Sequence, residues 1–288
     1  MDPGSCRRLW PLTVSASLLV VALGLFCASR TTRRPLYEDK TLVLWLRTYA
    51  PSSKAQRNSP EWKKGDDAVR QRGTNCIPVL LRMLRAKDSH LKLSLIGLAR
   101  KQHLIKIDFI PAEEVNVEAS RAFIVLADAA KDAVPALMRM YNENVSTESQ
   151  RAILDALAWI GPSARPAIPL LLGAATNSDA RIRANALWAL GEIHAEPELC
   201  VPKLIDSLND SNAWTRLSAA HALGMFGADA QAAIVPLNRL TNAGIQAPGT
   251  PDIQVSIESR NALRKIRPQV EGLYGTELLT TNSPFFSQ

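Results

Sequence analysis

The sequence has few of the residues and none of the motifs that usually build a catalytic or metal site. Its four histidines and four cysteines are scattered over 288 residues. No two histidines stand in a ligand spacing such as HxH or HExxH. A glycine-rich phosphate loop and a GxSxG elbow are also absent. No metal, cofactor or small-molecule substrate is indicated, and we expect a chain that is not an enzyme.

Aromatic residues are also scarce, at 6% of the chain, whereas alanine and leucine are plentiful. This composition favours closely packed helices over a β-sandwich or a β-barrel. Cys76 and Cys200 are separated by 124 positions, so they form neither a disulfide framework nor a metal spacing. We expect both thiols to be buried.

The first 34 residues differ from the rest. Residues 9–29 carry no charge and are long enough to cross a bilayer as a helix, and arginines flank them on both sides. Two alternatives stay open, a retained signal anchor and a signal peptide cut after Ser29. Either alternative predicts a chain that is anchored in the membrane through residues 9–29 or exported, in a bacterial envelope.

An apolar segment that ends in glycine recurs along the chain, as ALAWIG (156–161), ALWALG (186–191) and ALGMFG (222–227). With related segments that end at 73, 127 and 267, it marks six units at intervals of 54, 34, 30, 36 and 40 residues. Glycine ends a helix readily, and a proline in the following stretch suits the first turn of the next helix. Each unit is therefore read as two helices and two turns. The first interval has room for one extra helix, at 89–104.

A single helix pair cannot bury its apolar face, so neighbouring pairs must stack. We predict an all-α fold, a right-handed α-solenoid of about six helix pairs over residues 61–268. A capping helix and a polar loop precede it at 35–60. Residues 269–288 are predicted to be a flexible tail.

The pattern RxxxDALxxIGPxAxPAIPxLL, read from Arg151 to Leu172, resembles the HEAT repeat and its short lyase-type variant. Five of the six units carry pieces of this pattern. The N-terminal part, with LYEDKTLVLWLRTY (36–49), resembles membrane-anchored or exported bacterial HEAT proteins. The resemblance implies a superhelix whose second helices line the concave face.

The second helices carry five cations among their apolar residues, namely Arg82, Arg85, Arg139, Lys203 and Arg239. Arg82 and Arg139 each follow a proline by four residues. If the second helices line a groove, these cations are candidates for binding a partner. The alternative is that they are solvated residues on the polar side of each helix.

We therefore expect a non-enzymatic scaffold that binds a protein partner, since an elongated solenoid offers a large surface and no enclosed pocket. This expectation is an analogy from fold. Nucleic-acid binding is one alternative, although the excess positive charge is confined to the first third of the chain. An enzyme similar to the HEAT-type bilin lyases is the other.

Overall fold

The structure is a computed structural model that describes residues 40–49, 59–101, 109–243 and 251–267. The regular secondary structure in those ranges is entirely helical, and the described residues contain no strand. The predictions for residues 1–34 and 269–288, and most of the predicted loop at 51–60, lie outside the described residues. The α-helices are α1 (Lys40–Leu46), α2 (Pro60–Arg72), α3 (Ile77–Leu84), α4 (His90–Lys101), α5 (Ala112–Leu126), α6 (Val134–Asn142), α7 (Thr147–Ile160), α8 (Ile168–Ala174), α9 (Ala180–Ile193), α10 (Pro197–Ser207), α11 (Ala213–Phe226), α12 (Ile234–Ala243) and α13 (Pro251–Ile266).

The helices alternate between two layers. The first helices of successive units are α2, α5, α7, α9, α11 and α13, and the second helices are α3, α6, α8, α10 and α12. The described ranges thus hold five complete pairs followed by a sixth first helix. The predicted all-α solenoid of helix pairs is confirmed. The capping helix is present as α1, which packs against α2 and α5.

The residue that ends each first helix sets the true register of the repeat. Ala127, Gly161, His194 and Gly227 all follow a first helix with positive φ, at 42°, 75°, 47° and 52°. These four residues are 34, 33 and 33 positions apart, a nearly constant period. The sequence predicted that a helix ends at Gly191, and this prediction is wrong, because α9 continues to Ile193. Repeat positions are counted back from this terminal residue, so that Gly191 stands at −3.

A polar side chain at position −11 of α5, α7, α9, α11 and α13 binds the chain at the end of the preceding second helix. It donates to main-chain carbonyl groups in the last turn of that helix or just beyond it. Asn116 Nδ2, for example, donates to the carbonyls of Met83 and Leu84 at 2.9 and 3.0 Å. The same position is filled by Gln150, Arg183, Arg216 and Ser256, which donate to carbonyls at Tyr141, Asn177, Asp210 and Thr241. This contact ties every unit to the one before it.

The first helices pack directly on one another, from α5 through α7, α9 and α11 to α13. Position −5 is alanine in all six first helices, at Ala68, Ala122, Ala156, Ala189, Ala222 and Ala262. A Cβ atom added to Gly191 would lie 2.7 Å from the Cα atom of Ala222, so these two helices are in backbone contact. Among the described elements, no second helix packs as extensively on the next second helix. Because the inside of an arc is its more closely spaced layer, the first helices form the concave side.

Both ends of the stack depart from the regular pattern. In α13, positions −3 and −7 are Arg264 and Arg260, where α9 has Gly191 and Leu187. A polar outer face of this kind is what a terminal repeat needs in water. The extra helix predicted at 89–104 is present as α4, with Leu91 exposed to 76%.

The expected location of the chain has to be corrected. In the part of the chain that the structure describes, no helix combines the length and the apolar character needed to cross a bilayer. Residues 9–29, on which the anchor and the export signal were predicted, lie outside that part. The membrane-anchored or exported location is therefore not carried further.

Candidate partner-binding surface

The five cations predicted to bind a partner lie on the second helices and do not form one row. Arg82 and Arg139 are exposed at the same place in α3 and α6, but the later units carry Gly173, Asp206 and Leu240 there. Arg85 pairs with Glu143 of α6, with Nη2 2.7 Å from Oε1. Lys203 is half-buried in α10 and Arg239 is exposed in α12, each at a different distance from its proline. All five stand in the layer opposite to the concave one.

The concave layer carries a different set of polar and aromatic side chains, at positions −2, −6 and −9 of the first helices. Residues three and four apart share one face of a helix, so these positions line up along each helix. We call this set the inner strip. Its members are Glu118, Arg121 and Val125 on α5, Asp155 and Trp159 on α7, Asn185, Trp188 and Glu192 on α9, His221 and Met225 on α11, and Glu258, Asn261 and Lys265 on α13. Small residues fill the two remaining places, on α7 and α11.

His221 links three successive first helices within the inner strip. Its Nδ1 atom lies 3.0 Å from Oε1 of Glu258, and its Nε2 atom lies 3.3 Å from Oε1 of Glu192. Burial acts to lower the pKa of His221, but the two hydrogen bonds and the two carboxylate charges outweigh it and raise the pKa to about 9. At neutral pH the imidazole ring is therefore a cation held between two carboxylates.

Asp155 occupies position −6 of α7, two units before His221. Its Oδ1 atom accepts a hydrogen bond of 2.7 Å from Nδ2 of Asn185 on α9. Burial raises the pKa of the Asp155 carboxyl to about 6, against the opposing effects of Arg151, Arg121 and Asn185. The carboxylate at this position is thus costly for the fold when it is ionised.

Two tryptophans complete the centre of the inner strip. The rings of Trp159 and Trp188 meet edge to face, with their centroids 4.7 Å apart, a geometry that aromatic pairs prefer. Trp188 is buried, while Trp159 is half-buried. Trp214, at the start of α11, has 47% of its surface accessible.

The sequence contained a signal for the inner strip, but the wrong register concealed it. Counted from His194, position −2 holds a different residue in every first helix and position −6 does so from α5 to α13, whereas position −5 is always alanine. Counting from Gly191 shifts α9 by three residues, which moves Trp188 and Glu192 out of alignment with Trp159 and His221. A position that varies between otherwise equal repeats is free of the packing constraint.

Other chemistry is not evident at the surface. Over the described residues, no group of three or more His, Cys, Asp and Glu side chains could hold a metal ion. Cys76 and Cys200 are both buried free thiols, as predicted. Burial, and then the charge of Glu196, raise the pKa of the Cys200 thiol to about 11.

A comparison with protein families agrees with the repeat geometry over part of the chain. The family model described as HEAT repeats matches residues 168–243, from the start of α8 to the end of α12. The matched segment includes α9 and α11, which carry part of the inner strip. Nothing distinguishes the lyase-type variant from other HEAT repeats, and that finer resemblance stays a prediction.

Among solved structures, crystal structures of engineered proteins are similar to the chain. One is 18% identical, with 80% of this chain and 98% of that chain covered and a TM-score of 0.38. Another is 17% identical, with 80% and 100% covered and a TM-score of 0.39. No curated protein matches the chain.

Proposed function

We propose that the chain is a non-enzymatic scaffold that binds a protein partner on the inner strip. The observation that carries the proposal is the contrast between position −5, which is alanine throughout, and positions −2 and −6, which hold different residues in α5, α7, α9, α11 and α13. Constant small residues set the helix spacing, and the variable side chains belong to the concave layer. HEAT-repeat folds commonly serve as surfaces for holding other macromolecules.

The composition of the inner strip supports a protein partner over a polyanion. It carries four carboxylates, on Glu118, Asp155, Glu192 and Glu258, against three cations, on Arg121, His221 and Lys265, together with two tryptophans. Carboxylates oppose a phosphate backbone, whereas a half-buried aromatic ring such as that of Trp159 is a common anchor in protein interfaces. No feature of the described residues favours the nucleic-acid or the bilin-lyase alternative.

The proposal is tested by comparing capture of partners by two matched variants. One introduces a positive charge at an apolar place of the inner strip, with Met225→Lys. The other reverses charge on the second helices, with Arg82→Glu and Arg139→Glu. Each chain is immobilised at equal density, exposed to an extract of the cells that produce it, and the bound proteins are quantified by mass spectrometry.

We expect the inner-strip variant to lose at least about tenfold in the capture of a specific partner, since interface anchors contribute about 1–2 kcal/mol or more each. The second-helix variant should capture the partner as the unchanged chain does. Loss in the second-helix variant alone would contradict the proposal and would favour the cations that were predicted from the sequence. Both variants must first show the unfolding midpoint of the unchanged chain.

A further inference from the structure

Position −2 forms a row along the mouth of the inner strip, which we call the −2 row: Trp159, Glu192, Met225 and Lys265. Its members are held by their neighbours. Glu192 hydrogen-bonds His221, Trp159 packs on Trp188, and Nζ of Lys265 lies 3.9 Å from Sδ of Met225. None of the four is buried. The row is therefore both ordered and accessible, in the sequence aromatic, acidic, apolar, basic.

The acidic place in the row has less positive charge around it than the neighbouring carboxylate. Glu192 and Glu258 share one imidazolium, that of His221, and the charge of Lys265 acts in addition on Glu258, where it helps to lower the pKa. Glu192 is the more exposed of the two carboxylates, with 26% of its side chain accessible against 12% for Glu258. Lys265 stands two units away along the row, beyond Met225. The local field at Glu192 thus favours a cation on the solvent side.

The spacing of the row fits an extended polypeptide. Packed helices lie about 8–10 Å apart, and an extended chain in the polyproline II conformation advances about 3.1 Å per residue with three residues per turn, so that residues three apart face the same side. A segment that crosses the first helices therefore places about every third residue opposite the next member of the −2 row. The charge and polarity of the row then define the order of side chains in the segment that it accepts.

We propose that the −2 row binds an extended basic segment of the partner protein. In this complex an arginine or lysine lies opposite Glu192, and apolar residues three positions before and after it lie opposite Trp159 and Met225. The guanidinium or ammonium group hydrogen-bonds the Glu192 carboxylate, while the flanking apolar residues cover the tryptophan ring and the methionine. This inference rests on the proposed function and adds the chemical class of the partner.

The test uses two synthetic heptapeptides and the full chain. One peptide is Leu-Ser-Ser-Arg-Ser-Ser-Leu, and the other has glutamate in place of the arginine. Binding is followed by the indole signals of the chain in NMR titrations at neutral pH. We expect the arginine peptide to bind at least about tenfold more tightly, since hydrogen bonds to charged groups exceed the value of neutral ones.

Two variants assign the preference to its site. Glu192→Gln keeps an oxygen that can accept the hydrogen bond from His221 but removes the charge, so the preference for arginine should fall to about twofold or less. Glu198→Gln removes an exposed carboxylate from α10, in the other layer, and should leave the preference unchanged. Equal binding of the two peptides, or an unchanged preference in Glu192→Gln, would overturn the inference.

The inference and the proposed function fail in different ways. If the Met225→Lys variant loses its partner but the peptides show no preference for arginine, the scaffold proposal stands and the basic segment is wrong. If that variant captures every partner as before, the scaffold proposal is wrong, and a peptide preference that depends on Glu192 would then reflect an isolated charge effect. The unfolding midpoint of each variant separates both results from loss of the fold.

Discussion

Replacing Gly191 by alanine tests whether backbone contact between first helices sets the stack. The added Cβ atom would lie 2.7 Å from Cα and 2.8 Å from Cβ of Ala222. Neither atom can move by a change of rotamer, because one is backbone and the other is fixed to it. Helix α11 would have to shift away from α9, and with it the His221 contacts to Glu192 would lengthen.

Two opposing effects determine the size of the change. Alanine is favoured over glycine inside a helix by about 1 kcal/mol. Overpacking of a tightly filled site costs about 1–3 kcal/mol, and a contact with backbone belongs at the upper end of that range. We therefore expect Gly191→Ala to lower the free energy of unfolding by about 1–2 kcal/mol.

The measurement is urea unfolding at neutral pH, with Gly173→Ala as the matched control. Gly173 lies in α8, and a Cβ atom added there would meet nothing within 4 Å. The control should therefore be equally stable or more stable, by up to about 1 kcal/mol. If Gly191→Ala were as stable as Gly173→Ala, the close approach of the first helices, and with it the assignment of the concave side, would be refuted.

Three further predictions concern charged groups. His221 has a pKa of about 9 in the fold against 6.5 in the unfolded chain. Its contribution to the free energy of unfolding, at most about 3 kcal/mol, is therefore complete below pH 6.5 and is lost as the pH rises through 9. NMR titration of the ring should show that pKa, and His221→Gln should remove this pH dependence from urea unfolding. Asp155 has a pKa raised from 3.8 to about 6, so its contribution to the free energy of unfolding is present below pH 3.8 and is lost as the pH rises through 6. Asp155→Asn should therefore make the chain more stable than the unchanged one at pH 7.5. A lower stability would contradict the assigned burial cost. Arg183 binds both carboxylate oxygens of Asp210 at 2.8 Å. Arg183→Lys should therefore lower the free energy of unfolding in urea by about 1–3 kcal/mol. The control Arg181→Lys, at an exposed position, should leave it unchanged.

The helix pairs could be predicted from the sequence because their signals are local. Proline in the first turn of α8 acts through the backbone of its own helix, and the structure has it where it was expected. Asp179 acts in the same local way at the start of α9, where its side chain accepts from the first backbone N–H groups. The end of α9 was missed because the terminal residue is His194, which adopts the left-handed conformation with φ of 47° and ψ of 52°. Glycine favours that conformation, but it is not required for it.

The concave layer could not be read from the same local signals. Which layer lies inside depends on how closely neighbouring helices approach, and that distance is a property of pairs of units. The small residues at Gly191 and Ala222 were visible, and close approach between helices was expected of them. These residues place the first helices on the concave side and the five cations of the second helices on the other layer. That result follows only once the contact partners of the small residues are known.

The packing of the first helices also explains why the inner strip suits recognition. Because Gly191 and Ala222 hold α9 and α11 in contact, the side chains at −2 and −6 cannot spread apart, and His221 keeps Glu192 oriented before any partner arrives. A surface that is ordered in advance loses less conformational entropy on binding. The alanines can remain constant while the neighbouring positions change, so one repeat can present a new side chain in each unit without altering the fold. The five cations on the second helices lack this support, since the second helices do not pack on one another to the same extent.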